Sequence, residues 1–350
     1  MNSIDITSST GEWLRGSGPE SDIVICTRAR LARNVDGFAF SPMLQEDEAR
    51  ELNKVLSRRV LESVPAAQFK YTDLLEAAEL DRQVLMERHL ISRELSQGTR
   101  ARGVVISTPE DVSIMLNEED HLRIQVFRSG FRVEDAWNEV EKLDDNIGSR
   151  LRFAFSEDYG FLTACPTNVG TGLRISAMLH LPGLVWSKQI EKAHNAVQKL
   201  HLAVRGLYGE GSRATGDFYQ ISNQVTLGRP ELDIRRDVAL AVLKIVTWER
   251  EIRQELFQKG RIVLEDRVMR ALGVLERART LTSEEALDNL SHVRVGIHLG
   301  LIKELGIDKL NRLLLLTQPG HLQVLEARPL EPAERDVLRA RRVRQILGMQ

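Results

Sequence analysis

The spacing of apolar residues divides the chain into a mixed first part and a helical last part. Apolar positions at helical spacing predict helices over 45–64, 74–90, 133–147 and 188–202. Alternating or short apolar runs predict strands over 23–27, 103–107, 112–117, 121–127, 151–155, 161–164 and 218–226. Short connections make the strands between 103 and 127 antiparallel neighbours. The irregular order of helices and strands lacks the βαβ rhythm of a doubly wound fold.

After residue 233 the strand signals almost disappear. Helices are predicted over 233–259, 265–279, 283–299, 308–316 and 332–347, and Gly260 ends the first of them. We therefore predict an α+β fold, a mainly antiparallel sheet flanked by helices, with an all-helical C-terminal domain. The expected divisions are a flexible lead-in over 1–22, an α+β domain over 23–260 and the helical domain over 261–350.

Composition narrows the class of protein. With 350 residues, 42% of them hydrophobic, the chain can build two ordinary cores. No apolar run approaches the ~18–20 residues of a membrane span, and the polar N-terminus shows no secretory signal. The two cysteines, Cys26 and Cys165, form no disulfide framework, so we expect a cytoplasmic protein.

The charge balance points to anions other than nucleic acid. A net charge of −2 does not suit a general nucleic-acid-binding protein. The 48 basic residues comprise 38 Arg and 10 Lys, and Arg is the side chain suited to planar, multidentate phosphate binding. An arginine-rich genome would produce the same bias.

One acidic stretch, NEEDHLR at 117–123, lies at the start of an alternating segment. If the strand geometry extends back through the acids, Glu119 shares a polar face with Arg123. A carboxylate beside a guanidinium could orient a cationic substrate next to an anionic one. The local pattern by itself favours a solvated hairpin tip.

Five arginines stand at positions that the pattern assigns to loops beside short motifs. They are Arg28, Arg30, Arg123, Arg174 and Arg205. If they converge, they require a polyanion between them, and a triphosphate suits that arrangement. Taken singly, each arginine is typical of a solvated surface. The chain carries no P-loop, dinucleotide-binding or protein-kinase signature.

Four motifs, in order, resemble those of the phosphagen (guanidino) kinases, which include arginine and creatine kinases. They are TRAR at 27–30, NEEDHLR at 117–123, CPTNVGTGLR at 165–174 and RGLYGEGSRATGDFYQISN at 205–223. The resemblance covers residues 20–260 and implies that family's catalytic domain, with its glutamine-synthetase-like sheet. No room remains before Arg28 for the family's helical N-terminal domain. This departure and the helical C-terminal part resemble the bacterial protein-arginine kinase branch.

The resemblance implies roles residue by residue. Glu119 and Glu210 match the carboxylates that grip the guanidinium, and Cys165 matches a reactive cysteine, although a small buried residue is the alternative. The implied ATP-binding positions are Thr27, Arg28, Ala29, Arg30, Leu31, His89, Arg123, Arg174, Ile175, Ser176, Ala177, Met178, Arg205, Gly206, Leu207, Tyr208 and Gly209. Met178 stands where family members have a histidine, so only a backbone contact is carried over there. The alternative for His89 is an ordinary helix-end residue.

The implied reaction is transfer of the γ-phosphoryl group of ATP, with Mg²⁺, to arginine side chains of proteins. The resemblance further implies an adaptor of the McsA type, a Clp ATPase or protease that degrades marked proteins under stress, and a homodimer, with neither membrane nor nucleic acid as partner. Two alternatives remain: a kinase for free arginine or another small guanidine, and a nucleotide-regulated adaptor that binds phosphoarginine.

The C-terminal helix contains its own motif, RDVLRA at 335–340. Arg335 and Arg339 are i,i+4 neighbours with Asp336 beside them, so two guanidinium groups and one carboxylate share a surface. The pattern, with Ala340, resembles an allosteric phosphoarginine pocket of the protein-arginine kinase branch. A solvated charged helix face is the alternative.

Overall fold

The computed structural model describes residues 10–206 and 215–349. Its strands are β1 (Val24–Arg33), β2 (Phe69–Asp73), β3 (Gly103–Ser107), β4 (Val112–Leu116), β5 (Leu122–Ser129), β6 (Phe155–Ser156), β7 (Gly160–Phe161), β8 (Leu173–His180), β9 (Leu202–Gly206) and β10 (Phe218–Asn223). Its helices are α1 (Glu46–Ser63), α2 (Glu79–Glu87), α3 (Arg93–Gln97), α4 (Val133–Gly148), α5 (Pro182–Trp186), α6 (Ile190–Gln198), α7 (Glu231–Lys259), α8 (Arg261–Arg277), α9 (Ser283–His298), α10 (Ile307–Leu316), α11 (Pro319–Leu325) and α12 (Pro332–Leu347).

Eight strands form one sheet in the order β2-β3-β4-β5-β1-β8-β10-β9, and β6 pairs with β7 in a separate ribbon. All of the pairings in the large sheet are antiparallel. The predicted α+β class, an antiparallel sheet with helices and a helical C-terminal region, is therefore confirmed.

One face of the sheet is covered by helices over its whole width. Alternate residues of the central strands, such as Leu31, Ile124 and Ile175, join a hydrophobic core with apolar residues of α1, α4, α6 and α7. This burial follows from the two-residue period of a strand, which sends every second side chain to the same side.

The other face is divided into three parts. Near β3 and β4 it is covered by α2 and α3. At one end of the central strands β1, β5, β8 and β10, residues of α8, α9, α10 and α12 pack against Cys26, Phe127, Met178 and Phe218. Between these two apolar clusters lies a band of arginine side chains, described below. The C-terminal helices and the arginine band therefore occupy the same face.

Several predicted elements have different bounds. β1 continues to Arg33, beyond the predicted end at 27, because Arg28 and Arg30 alternate with buried Ala29 and Leu31 rather than ending the pattern. The sequence interpretation missed β2, β8 and β9. The helix predicted over 74–90 is restricted to α2, since residues 74–76 form a turn. The strands predicted over 151–155 and 161–164 are only the short β6 and β7.

The described part of the expected flexible lead-in, residues 10–22, packs against the protein. Trp13 and Leu14 are buried in the cluster formed with the C-terminal helices, and Asn311 of α10 donates to the carbonyl oxygen of Leu14 at 2.7 Å. Burying two large apolar side chains removes their surface from water and stabilises the packed conformation. Residues 10–22 are therefore part of the folded structure.

Among residues 10–206 and 215–349, no helix combines the length and apolar character that crossing a membrane requires.

Asp217 connects the start of β10 to α9 and gives the protein a pH-dependent stability. Burial raises the pKa of Asp217 to about 6, and Ser291 donates to its carboxylate at 3.2 Å. The folded state therefore holds a proton that the unfolded state has released, so stability falls as pH rises from about 4 to about 6. Asp217→Asn should raise stability at neutral pH by on the order of 1–3 kcal/mol. Chemical denaturation at pH 4.5 and 7.5 tests this, and an unchanged pH dependence in the variant would contradict it.

Candidate active site

The five arginines singled out from the sequence lie on strands, not in loops. Four of them lie on the three adjacent central strands β5, β1 and β8. Arg30 of β1 stands opposite Arg174 of β8, and Arg123 of β5 stands opposite Ala32, two residues from Arg30. Arg28 follows on the same face of β1, and Arg205 of β9 stands opposite Gln220 of β10. The antiparallel sheet thus gathers arginines from four separate segments of the chain.

This band concentrates positive charge in a poorly solvated place. Burial lowers the pKa of Arg30 well below its usual value, and neighbouring Arg28, Arg174 and Arg123 lower it further. Burial also lowers the pKa of Arg28 to about 10. The Nε atom of Arg30 is buried without a hydrogen-bond partner among the described residues. An anion among these groups would relieve both the repulsion and the lost solvation.

Polar residues on the same face orient the guanidinium groups. Gln220 accepts a hydrogen bond from Arg28 at 2.7 Å, and Ser222 accepts one from Arg174 at 3.0 Å. Arg28 also lies 5.7 Å from the centre of the Phe127 ring. The sequence interpretation missed Gln220 and Ser222, although both lie within the 205–223 motif at alternate positions of β10.

The acidic stretch forms the turn between β4 and β5. Asn117 has a positive φ of 56°, and its backbone N–H donates to the carbonyl oxygen of His121 at 3.0 Å. The extended geometry expected through the acids is therefore wrong. The two glutamates nevertheless both reach Arg123: Glu118 Oε2 lies 2.7 Å away from it, and Glu119 Oε2 lies 3.4 Å away.

Glu118 and Glu119 differ in how much of their carboxylate is available. Glu118 is 4% exposed and accepts a hydrogen bond from Ser92 at 2.9 Å, whereas Glu119 is 41% exposed. Burial raises the pKa of Glu118, while Arg123 opposes that shift. Glu119 is therefore the carboxylate that can turn toward an incoming guanidinium, and Glu118 holds Arg123.

Asp120 ties the acidic turn to the Cys165 segment. Its buried carboxylate accepts hydrogen bonds from Asn34 at 2.7 Å, from the Ala164 backbone N–H at 2.7 Å and from Asn168 at 3.4 Å. Cys165 is partly exposed, and its Sγ lies 3.1 Å from Thr167 Oγ1. Asp120, for which the sequence indicates no specific role, thus joins the segment of Cys165 to the turn that carries Glu119.

His89 lies beside the arginine band. It follows α2 with a φ of 60°, and its ring meets that of Trp13 edge-on at 4.5 Å between centroids. Burial lowers the pKa of His89 to about 3, and Arg28 adds to that shift. Gln125 donates to its carbonyl oxygen at 3.0 Å. The ring is therefore neutral and fixed, as a stacking or hydrogen-bonding surface requires.

Several positions expected to bind ATP have side chains turned away from the arginines. Ala29, Leu31, Ile175 and Ala177 lie in the core on the opposite face of the sheet. Thr27 is fully buried, and it donates to the Gly130 carbonyl oxygen at 2.8 Å. Side-chain contacts of these five residues with a nucleotide on the arginine face are thus ruled out by the alternation of the strands.

Of the expected ATP-binding positions not yet placed, three lie within the described residues. Ser176 lies on the arginine face opposite Arg28, Met178 lies in the apolar cluster beyond it, and Gly206 ends β9. Leu207, Tyr208, Gly209 and Glu210 lie outside the described residues.

The C-terminal motif differs from the expected pair of open guanidinium groups. Arg339 is 1% exposed, and it donates to the carbonyl oxygens of Thr317 at 2.7 Å and Leu281 at 2.6 Å and to Asp336 at 2.6 Å. Arg335 is partly exposed and donates to the Leu330 carbonyl oxygen at 2.9 Å. Ala340 is buried. Only Arg335 and Asp336 present polar groups at the surface, because Arg339 holds three segments together.

An antiparallel sheet that carries a band of arginines beside an exposed glutamate and a cysteine suits the binding of a polyanion next to a cationic substrate. The family model described as ATP:guanido phosphotransferase, C-terminal catalytic domain, matches residues 52–252. A second model, described as the protein-arginine kinase McsB C-terminal domain, matches residues 261–350. The chain belongs to the protein-arginine kinase family of guanidino phosphotransferases.

Named relatives and solved structures agree with this family. Protein-arginine kinase of Bacillus cereus (strain AH187) is 43% identical over 97% of this chain and 96% of the relative. The same-named protein of Moorella thermoacetica is 44% identical over 96% of this chain and 97% of the relative. The structure of a duplicated taurocyamine kinase from Schistosoma mansoni, with bound transition-state analogue components, has a TM-score of 0.61 at 27% identity, covering 71% of this chain and 35% of that one.

Proposed function

We infer that this protein transfers the γ-phosphoryl group of ATP to arginine side chains of proteins. The observation that carries this function is the arginine band on one sheet face, with Glu119 exposed at its edge. The band suits a triphosphate, and an exposed carboxylate suits a guanidinium delivered from solvent on a polypeptide. Protein-arginine kinases that match nearly the whole chain support the choice of acceptor.

The chemistry starts from the acceptor. A guanidinium, with a pKa above ~12, has delocalised lone pairs and is a poor nucleophile. Glu119 would align it for in-line attack on the γ-phosphorus and take the proton that the attacking nitrogen loses. Arg28, Arg30 and Arg174 would neutralise charge on the phosphate oxygens as the bond to the β–γ bridging oxygen breaks. We propose that Glu210 supplies the second guanidinium contact.

We propose Mg²⁺ as the metal, carried mainly by ATP. Within 10–206 and 215–349, no group of three or more His, Cys, Asp or Glu side chains could hold a metal. Asp120 and Glu118 are already engaged by protein donors. Mg²⁺ fits such a site because it keeps several waters and can be held mainly through substrate phosphates. Bound there, it would neutralise phosphate charge.

Mass spectrometry tests the acceptor. We expect an arginine-rich protein, incubated with the full-length enzyme and Mg-ATP, to gain phosphoryl groups on arginine under non-acidic handling, because the P–N bond is acid-labile. Free arginine should be a poor acceptor in the same assay. Faster transfer to free arginine than to protein would instead identify a small-guanidine kinase, and no transfer to either would favour a binding adaptor.

We propose that Cys165 contributes to catalysis through its partly exposed sulfur beside the substrate site. Cys165→Ser should lower the transfer rate only partly and should make the enzyme resistant to thiol oxidants. The other cysteine, Cys26, is buried, and burial raises its pKa to about 12, so it should not react. Cys26→Ala is the matched control and should keep the oxidant sensitivity. Unchanged sensitivity of Cys165→Ser would remove this residue from the proposal.

We propose that Arg335 and Asp336 bind phosphoarginine and regulate the kinase. Arg335 would contact the phosphate and Asp336 the guanidino group, while buried Arg339 keeps Asp336 in place through the 2.6 Å contact between them. Isothermal titration with free phosphoarginine should show binding that Asp336→Ala loses. The control is Glu334→Gln, because the Glu334 side chain is exposed and pairs with Arg328 rather than with the proposed site. Equal binding by wild type and Asp336→Ala would contradict the proposal.

The remaining assignments are proposals supported by the family alone. They are a catalytic domain over 23–260 and a regulatory domain over 261–350, a homodimer, a cytoplasmic location, a McsA-type adaptor, and delivery of marked proteins to a Clp protease in the stress response. The two family matches, at 52–252 and 261–350, support the division into domains.

A further inference from the structure

Glu87, at the end of α2, contacts the C-terminal region. Its side chain is 5% exposed and accepts hydrogen bonds from the backbone N–H groups of Gly320 at 2.7 Å and His321 at 3.1 Å. His321 Nδ1 lies 2.8 Å from the same carboxylate. A Cβ at Gly320 would lie 2.9 Å from Glu87 Oε2, so glycine permits this approach. The contact joins α2 to the first turn of α11.

Glu87 also lies two residues before His89, on a segment with little freedom. Arg88 is fully buried and forms an ion pair with Glu110, with Nη2 and Oε2 2.6 Å apart. The chain then turns at His89 through a positive φ, and Gln125 holds the carbonyl oxygen of His89. A shift of the end of α2 would therefore move the His89 ring relative to Arg28.

We propose that Glu87 is a positioning residue of the nucleotide site. By binding the start of α11, it fixes the His89 ring beside the arginine band, so the C-terminal region helps to shape the nucleotide site. The inference rests on the proposed contact between His89 and ATP. Its signature is a change in KM for ATP that depends on His89, since the groups proposed for chemistry lie elsewhere.

The full-length enzyme and a protein acceptor provide the test. The Glu87 carboxylate accepts from four donors, since Gln83 also donates to it at 3.1 Å. Glu87→Gln cannot accept from all four, and we expect KM for ATP to rise about tenfold while kcat stays within about twofold. Gly320→Ala, which keeps the carboxylate but displaces α11, should act in the same direction. Adding Glu87→Gln to His89→Ala should raise KM no further than His89→Ala alone. Glu334→Gln, an exposed carboxylate of the same region, is the matched control and should leave KM unchanged.

The outcomes separate the inference from the function. If His89→Ala leaves KM for ATP unchanged, the His89 contact and the role of Glu87 are both wrong, whereas the kinase function stands. If His89→Ala raises KM but the Glu87→Gln effect is absent or additive to it, only the role of Glu87 is overturned. If Glu87→Gln fails to fold, Gly320→Ala combined with His89→Ala decides by the same criterion.

Discussion

Arg30→Met should inactivate the kinase and, at the same time, make the protein more resistant to unfolding. Arg30 lies among Arg28, Arg174 and Arg123, which with burial lower its pKa, and its Nε has no partner among the described residues. Methionine keeps a similar length without the charge. Replacing a buried ion pair by well-packed apolar residues is often neutral or gains about 1–4 kcal/mol of stability, and removing one charge from this crowded cluster should act in the same direction. The loss of one positioned donor to the transferred phosphate should lower kcat about 10²–10³-fold.

Two measurements test this combination. Transfer to a protein acceptor gives the activity, and thermal unfolding without nucleotide gives the stability. Arg59→Met is a suitable control, because Arg59 forms an exposed pair with Glu62 at 3.0 Å and should change neither quantity substantially. A variant at position 30 that is less stable than the wild type and still active would show that Arg30 supports the fold rather than the phosphate.

Glu119→Gln should abolish arginine phosphorylation and leave ATP binding almost intact. Glutamine has the same shape, but it cannot take a proton from the guanidinium, and its amide N–H groups face the N–H groups of the acceptor. Loss of a general base typically lowers kcat about 10²–10⁴-fold. ATP binding should persist because Glu118 retains the closer contact to Arg123.

A substitution of the neighbouring Glu118 distinguishes an effect on ATP binding from an effect on phosphoryl transfer. Glu118→Gln should instead weaken ATP binding, because it loosens the ion pair that holds Arg123. Glu157→Gln, an exposed acid in the loop between β6 and β7, should leave both quantities unchanged. Equilibrium titration with a nucleotide and single-turnover transfer measure binding and chemistry separately. Near-wild-type transfer by Glu119→Gln would remove Glu119 from the mechanism.

The sequence is sufficient to predict the fold class and to single out the arginines, but the arginines lie on strands and not in the loops that the sequence predicts. The strand predicted over 23–27 ends just before Arg28 and Arg30, because charged residues after an apolar run are typical of a loop. In the structure Arg28 and Arg30 are the polar half of a local alternation whose other half, Ala29 and Leu31, lies in the core. The period-two alternation of Arg28 to Leu31 therefore predicts the strand better than the charges predict a loop.

Other parts of the site depend on contacts between distant segments. Nothing local distinguishes Glu118 from Glu119, since the turn that separates their roles depends on the positive φ of Asn117. Glu87 bonds to residues more than two hundred positions away, at Gly320 and His321. The sequence pattern is typical of a surface residue at Arg339, whereas the fold shows that it donates to the carbonyl oxygens of Thr317 and Leu281. Such pairings need the tertiary fold.

The shared sheet face limits how this enzyme can be shortened or recombined. A chain cut after α7 would lose the helices that cover Cys26, Phe127, Met178 and Phe218, leaving an apolar patch next to the arginines. Exposed patches of that kind promote association. The C-terminal region therefore serves as a layer of the catalytic core, and a transplanted kinase module would have to carry it along or replace its apolar surface.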